Sequence, residues 1–585
     1  MASPVSPPKR RAVALWFCAA LLTACGAITP APATPPPAST PGPNTPLAIA
    51  TAPAGASAPT PADTTTPVAT PAPTVFTLGL VDTPGALDPA NAVDESALLI
   101  TRHLYDGLTA YQPGATLAQP ALAESWDVSS DGLAWTFLLR RGVFFSDGAP
   151  LTADVARLNF QRWLQGTPPG GYLFWRAMFG GFAGEAGPAG EPLALVQNVT
   201  TRGDATLVLT LSRPAASLPN TLAMPSFALI SAGALDSADI TAGLNAASAG
   251  TGPYVLAEWP RPDLVRLQRN PTHWDAARQN VPDQLVFKII PDDTQRLLAL
   301  QTGEIEGLAH LNPQDYAAVT AGAGSTRLAF DPPLNVLYLG FNQAHTPWHN
   351  VDCRTAVALA LDKARYVQGH FPGDAEPAAA MQPPSVWGYS APRQRLYDPA
   401  RARERWQACL ASGVTLPAEM TLYVPPAPRP YLPDPAGLGL AIQGDLAAVG
   451  ISVTVVAPDW QTEWLPDVHA GRADLFLLGW TGVNGDPDGF LCPLFCGAEG
   501  AFNTGEAGQP LPPDAELADL LAEAHTVTDP NRRAELYARA HARIFESVPA
   551  VPLAHRQTAW AFRVDVQGNV PSPIESVFFG LRFAP

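Results

Sequence analysis

The chain has 585 residues, 52 of them acidic and 35 basic, for a net charge of −17 at neutral pH. With no Lys/Arg run after Arg11, that balance argues against nucleic acid and anionic membrane surfaces as partners. A composition of 47% hydrophobic and 15% charged residues suits a folded protein of several structural units rather than a disordered one.

The N-terminus reads as an export signal. Lys9, Arg10 and Arg11 form a positive region, and Ala12 to Leu22 is an apolar stretch too short to span a bilayer, which takes roughly 20 residues. It ends in Leu22-Thr23-Ala24-Cys25-Gly26, which resembles a lipobox. The expectation is a signal peptide over 1–24, cleaved before a Cys25 that carries lipid. Residues 26–74 hold 14 prolines and a single charge, Asp63. Such a stretch cannot bury a core. At about 3.1 Å per residue it forms a tether with a reach on the order of 150 Å.

The folded part is expected to begin at Val75. Val75 to Leu80 and Trp135 to Leu139 read as strands, and Ser129-Ser130-Asp131-Gly132 as a turn between strands. Thr206 to Leu211 alternates like a third strand. Asp292-Asp293 caps a helix with Leu297, Leu298 and Leu300 on apolar positions, closed by Gly303. Arg354 to Leu361 and Asp529 to Phe545 read as further helices, and Gly450 to Val456 as a strand after an apolar helix. Mixed strands and helices indicate an α/β fold.

Beyond Cys18 and Cys25 the cysteines are Cys353, Cys409, Cys492 and Cys496. Outside the cell membrane they can pair, and four cysteines allow three pairings, which stay open here. Cys492 and Cys496, with three residues between them, suit a local bridge. Zinc is disfavoured: the four do not form two close ligand pairs, and no histidine adjoins them. No metal and no cofactor is expected. No Gly-x-Ser-x-Gly elbow, His-Glu-x-x-His or Walker loop occurs, and Gly250-Thr251-Gly252-Pro253 is no phosphate cradle, because proline lacks the N–H. His345 and His349 flank Pro347, so a loop is expected there rather than a metal-binding helix face. The chain does not read as an enzyme.

From Val75 to Pro585 the sequence resembles family 5 of the bacterial extracellular solute-binding proteins. Several segments carry the likeness, in the family's order. They include Leu122-Ala123-Glu124-Ser125-Trp126, Trp135-Thr136-Phe137, Phe145-Ser146-Asp147-Gly148, Gly250-Thr251-Gly252-Pro253-Tyr254 and Asn270-Pro271-Thr272-His273-Trp274. Leu300 to Ile305 and Arg354 to Lys363 follow. Pro383 to Tyr389, Arg429-Pro430-Tyr431 and Gly479 to Asp488 resemble the dipeptide-binding branch. The resemblance implies a periplasmic-binding-protein-like two-lobe clamp with an extra small domain in the first lobe. It places the first lobe at 75–116, 246–333 and 556–585, the extra domain at 117–245 and the second lobe at 334–555.

By the same likeness the protein is the substrate-binding component of an ABC importer. It would be a monomer held at the cell envelope by its N-terminal lipid, passing peptides or peptide-like carboxylated solutes to permease subunits. Arg429 matches the arginine that holds the ligand carboxylate. Val483 stands where the family has an aspartate for the peptide ammonium, and valine cannot pair with an ammonium. Asp486 and Asp488 are the nearest acids that could substitute, although Asp486-Pro487 better suits shaping the turn, and Trp480 and Trp387 are expected as pocket walls. Rival readings are a nickel-chelate, opine or glutathione binder on the same scaffold, or an envelope sensor.

Overall fold

The computed structural model describes residues 74–166, 172–278, 281–321, 324–390, 395–496, 514–574, 578 and 581–583, with no side-chain account of 260, 261 and 277. The expected signal peptide, Cys25 and the tether up to residue 73 lie outside the described residues. Among the described residues no helix is long and apolar enough to cross a membrane.

Val75–Leu80 forms a strand because Phe76, Leu78 and Leu80 point into one buried layer. It is the middle of a seven-stranded sheet, flanked in parallel by Gln284–Ile289 and Gly307–Leu308. Leu264–Arg269 and Tyr254–Arg261 extend the sheet on one side, and Thr558–Arg563 and Thr326–Asp331 on the other. A second sheet of six strands runs in the order Ala375–Pro377, Ala550–Arg556, Asn335–Phe341, Leu475–Thr481, Thr421–Tyr423 and Thr454–Val456. A third sheet, antiparallel, orders Ala123–Val128, Ala134–Leu139, Thr206–Leu211 and Val196–Arg202. It is drawn wholly from the segment that interrupts the first sheet's sequence.

The chain passes between the first two sheets twice, and the crossings lie side by side. Thr326–Asp331 continues into Asn335–Phe341, and Ala550–Arg556 into Thr558–Arg563, antiparallel in both sheets. Asn335 ties the crossings together. Its Nδ2 donates to the Arg556 carbonyl at 2.8 Å and its Oδ1 accepts from the Arg556 N–H at 2.9 Å. Two lobes joined by a two-stranded ladder can rotate about it with small backbone changes.

The helix ends expected at Asp292, Gly303 and Asp529 are found, while the helix read from Arg354 begins at Val351 and the one read to Phe545 runs on to Ser547. Asp292 caps Asp293–Thr302 by accepting from the Gln295 N–H, and Gly303 ends it at φ 78°, where a side chain would be strained. Asp529 caps Pro530–Ser547 in the same way. Two further expectations need correcting. Leu298 is not on the buried face of its helix but 56% exposed, since it lies about 100° around from Leu297. The strand after Pro435–Ala448 starts only at Thr454. Gly450 and Ile451 instead close that helix by donating to the Ala447 and Leu446 carbonyls.

Cys353 pairs with Cys409, and Cys492 with Cys496. The first bridge fastens helix Val351–Ala360 to helix Pro399–Ala411 in the core of the second lobe. His345 and His349 stand in a turn, and the His345 ring meets Asp474 at 2.9 Å.

Candidate ligand-binding site

The six-stranded sheet presents one edge to the crossover ladder. At this edge Thr481 ends its strand opposite Asn335, Tyr423 ends the parallel strand nearby, and Arg556 ends the crossing strand. The carboxyl ends of Thr421–Tyr423 and Leu475–Thr481 therefore open on the same side, where loops of α/β sheets commonly form ligand sites.

Arg429 lies in the loop after the first of these strands. Tyr431 anchors that loop by packing on Gly479, where an added Cβ would sit 2.3 Å from the tyrosine ring. Only glycine leaves room, so Gly479 sets where Arg429 can stand. Arg556 fixes the loop from the other side, its Nη1 donating to the Pro430 carbonyl at 2.7 Å. The Arg429 guanidinium lies over the Trp460 ring at 3.7 Å. Its Nε is buried without a hydrogen-bond partner, and burial draws its pKa below the usual arginine value. No acid among the described residues is in ion-pair contact with it. A half-buried guanidinium stacked on an aromatic face, with no carboxylate of its own, suits a carboxylate from elsewhere.

The end of the second strand carries Trp480, Asp488 opens the following helix, and the loop between them carries Val483 and Asp486. Trp480 closes its base by donating from Nε1 to the Gly489 carbonyl at 2.7 Å. Val483 is 39% exposed, so a polar group brought to it would keep part of its water. Asn484 is buried and fixed. Its carbonyl accepts from Asn220 Nδ2 at 3.1 Å and lies 2.9 Å from Tyr111 Oη, and its own Nδ2 donates to Thr221. These bonds join the second lobe to residues that precede the first crossing.

Asp486, weighed from the sequence as a substitute acid or a turn-shaping residue, faces inward. Its two oxygens accept from Arg533 Nη1 and Nη2 at 2.9 and 2.7 Å. Burial alone would weaken the Arg533 charge, but Asp486 holds it firmly protonated. Asp488 continues this network, accepting from Tyr537 and pairing with His525, whose pKa the Asp488 hydrogen bond raises. Both acids are thus engaged by protein partners. Trp387 stands on the far side of the loop, half-buried, 5.0 Å from the Arg533 guanidinium and edge-on to Tyr537. Its backbone N–H donates to Thr116 Oγ1 at 2.9 Å. Arg429 therefore stands on Trp460, Trp480 on the Gly489 carbonyl and Trp387 beside Arg533, while Asp486 serves as a buried partner of Arg533.

Sequence reasoning missed Trp460 and the Asp374–Arg556 pair. Asp374 Oδ2 accepts from Arg556 Nε and Nη2 and from Tyr316 Oη, all at 2.9–3.0 Å. This binds the first lobe to the second beside the ladder. Among the described residues no group of three His, Cys, Asp or Glu is placed to hold a metal ion.

A family model described as bacterial extracellular solute-binding proteins, family 5, middle region, matches residues 118–502. The dipeptide-binding protein of Pseudomonas aeruginosa is 30% identical over 497 residues, 82% of this chain and 90% of the relative. The heme-binding protein A of Haemophilus influenzae is 30% identical over 499 residues, 82% of this chain and 87% of the relative. The solved structure of HbpA2 from Haemophilus parasuis superimposes with a TM-score of 0.77 at 26% identity, over 87% of this chain and 100% of that one.

Proposed function

Because this chain belongs to the bacterial extracellular solute-binding proteins, family 5, we propose that it captures a carboxylated peptide or peptide-like solute outside the membrane and delivers it to an ABC permease. The observation that carries this reading is Arg429: a half-buried cation, stacked on Trp460, with no acid in ion-pair contact among the described residues. The family and the relatives are binding proteins, and we take this chain to act by binding alone, as a monomer. The lobes are assigned to 75–116, 246–333 and 556–585, and to 334–555, with the extra domain at 117–245. The two crossings of the chain between the sheets support this division.

A clamp is driven shut only by a ligand that binds the closed state better than the open one. Calorimetry against a panel of small carboxylated peptides tests the ligand class, and small-angle scattering tests closure. A ligand at a hundredfold excess over its Kd is expected to add about 2.7 kcal/mol of stability and to reduce the radius of gyration. A tight ligand that leaves the scattering curve unchanged would count against the clamp.

The lipid anchor belongs to the same proposal. Cys25→Ser is expected to move the protein out of the membrane fraction or leave its precursor uncleaved. If the unsubstituted protein already partitions wholly into the aqueous phase of a detergent extraction, the anchor is wrong.

A further inference from the structure

A cavity of about 40 Å³ lies in the second lobe, at the opposite end of strand Ala550–Arg556 from the Arg429 loop. Ala550, Val551 and Pro552 contribute to its wall. At about 3.3 Å per residue, the strand separates the cavity from Arg556 by roughly 15–20 Å. Ala379 and Ala380, both small, line the cavity together with His541, Ile544 and Phe545 of helix Pro530–Ser547. The rest of its wall is largely apolar, with Ala358 and Met381 among the lining residues.

Two cations face this space, Lys363 and Arg395, and no aspartate or glutamate lines it. Lys363 Nζ donates to the Ala378 carbonyl at 3.0 Å, which leaves two of its three protons without a partner among the described residues. The Arg395 guanidinium lies over the Phe545 ring at 3.8 Å. Neither forms an ion pair with any acid among the described residues. Glu546 attracts Arg395 only from a distance and is bridged to Arg543 at 3.5 Å. Burial draws the Lys363 pKa down to about 8, with Arg395 adding to the effect. Burial likewise lowers Arg395 to about 10, helped by Arg401 and Arg405.

His541 also lines the cavity. Gln382 donates from Nε2 to the Val386 and Trp387 carbonyls, so its Oε1 accepts the His541 Nε2–H at 3.1 Å. Burial keeps that ring neutral, with a pKa of about 4. The positive charge is therefore concentrated on two groups, in a protein whose net charge is −17.

Two unpaired cations beside an apolar wall match one chemistry: an anionic head on a short hydrocarbon body. We infer that this cavity is a second ligand site, taking a small aliphatic monocarboxylate whose carboxylate bridges Lys363 and Arg395 and whose tail lies against Ala358, Met381 and Val551. The size agrees. One water needs roughly 10–15 Å³ of such space, so the cavity holds about three water-sized groups, enough for a two- to four-carbon acid.

The test is calorimetry on the full chain in a buffer free of carboxylates, with propionate and inorganic phosphate as separate titrants. Propionate is expected to bind saturably at one site, at least about tenfold more tightly than phosphate. Arg395→Gln is expected to weaken it by about tenfold or more, the scale of one charge-assisted hydrogen bond. Ala379→Leu fills the cavity from its partly open wall without removing a charge, and is expected to abolish propionate binding even if the arginine variant folds poorly. In Arg429→Ala, propionate binding should persist. No saturable binding, or binding that survives Ala379→Leu and disappears in Arg429→Ala, would overturn the site. Phosphate binding as tight as propionate would overturn the assignment to an aliphatic acid.

Discussion

Replacing Arg533 by alanine is expected to lower the free energy of unfolding by about 3–5 kcal/mol, the range for removing one partner of a buried ion pair. Asp486 is 1% exposed and Arg533 3%, so neither charge is screened by solvent. The arginine satisfies both carboxylate oxygens at once, donates from Nε to the Ala524 carbonyl at 3.0 Å, and meets Tyr537 Oη at 2.7 Å. Alanine would leave a carboxylate in a site with little water. Lysine would keep the charge but lose the planar fork that reaches both oxygens. The double variant Asp486→Ala with Arg533→Ala is expected to recover part of the loss, because no lone charge remains. Urea unfolding followed by circular dichroism measures all three. A loss below about 1 kcal/mol for Arg533→Ala would mean that water reaches Asp486 freely, since exposed pairs contribute no more than that.

The same pair explains what the sequence could and could not disclose. Strand Val75–Leu80 and the Asp292 and Asp529 caps were legible because their causes are local: alternating burial and a side chain reaching an N–H two or three residues on. The start of Thr454–Val456 was misjudged because the residues just before it were needed to finish a helix. Asp486 read as a candidate ligand contact because nothing nearby in sequence engages it. Its partner lies 47 residues away, on another helix. Trp460 under Arg429 and Tyr316 against Asp374 were illegible for the same reason. The cysteine pairing also depended on which helices pack together. Arg429 and Val483 were proposed only by likeness to a family, and the structure adds the reason for Arg429's position, the packing of Tyr431 on Gly479.

At the site itself, Arg429→Ala is expected to weaken a carboxylated ligand by about 2–3 kcal/mol, or roughly 30- to 150-fold in Kd. The upper part of the usual range for such truncations is not expected, because Arg429 is only half-buried and water would partly solvate the abandoned carboxylate. In the proposed binding mode Val483 faces the other end of the ligand. An ammonium placed there would lose part of its hydration and meet neither Asp486, which already accepts from Arg533, nor Asp488, which accepts from Tyr537. Ala-Ala is therefore expected to bind weakly, and N-acetyl-Ala-Ala more tightly. Val483→Asp is expected to reverse that order. Because the position is 39% exposed, the gain for the free dipeptide belongs near the lower end of the 1.5–3 kcal/mol for a hydrogen bond to a charged group, about tenfold or slightly more. The two substitutions act on opposite ends of one ligand, so combining them in a single chain is expected to give additive losses and gains. Calorimetry of both peptides against the four proteins reads every term. Tight binding of unmodified Ala-Ala by the unsubstituted protein would show that another acid meets the ammonium and that Val483 does not set specificity.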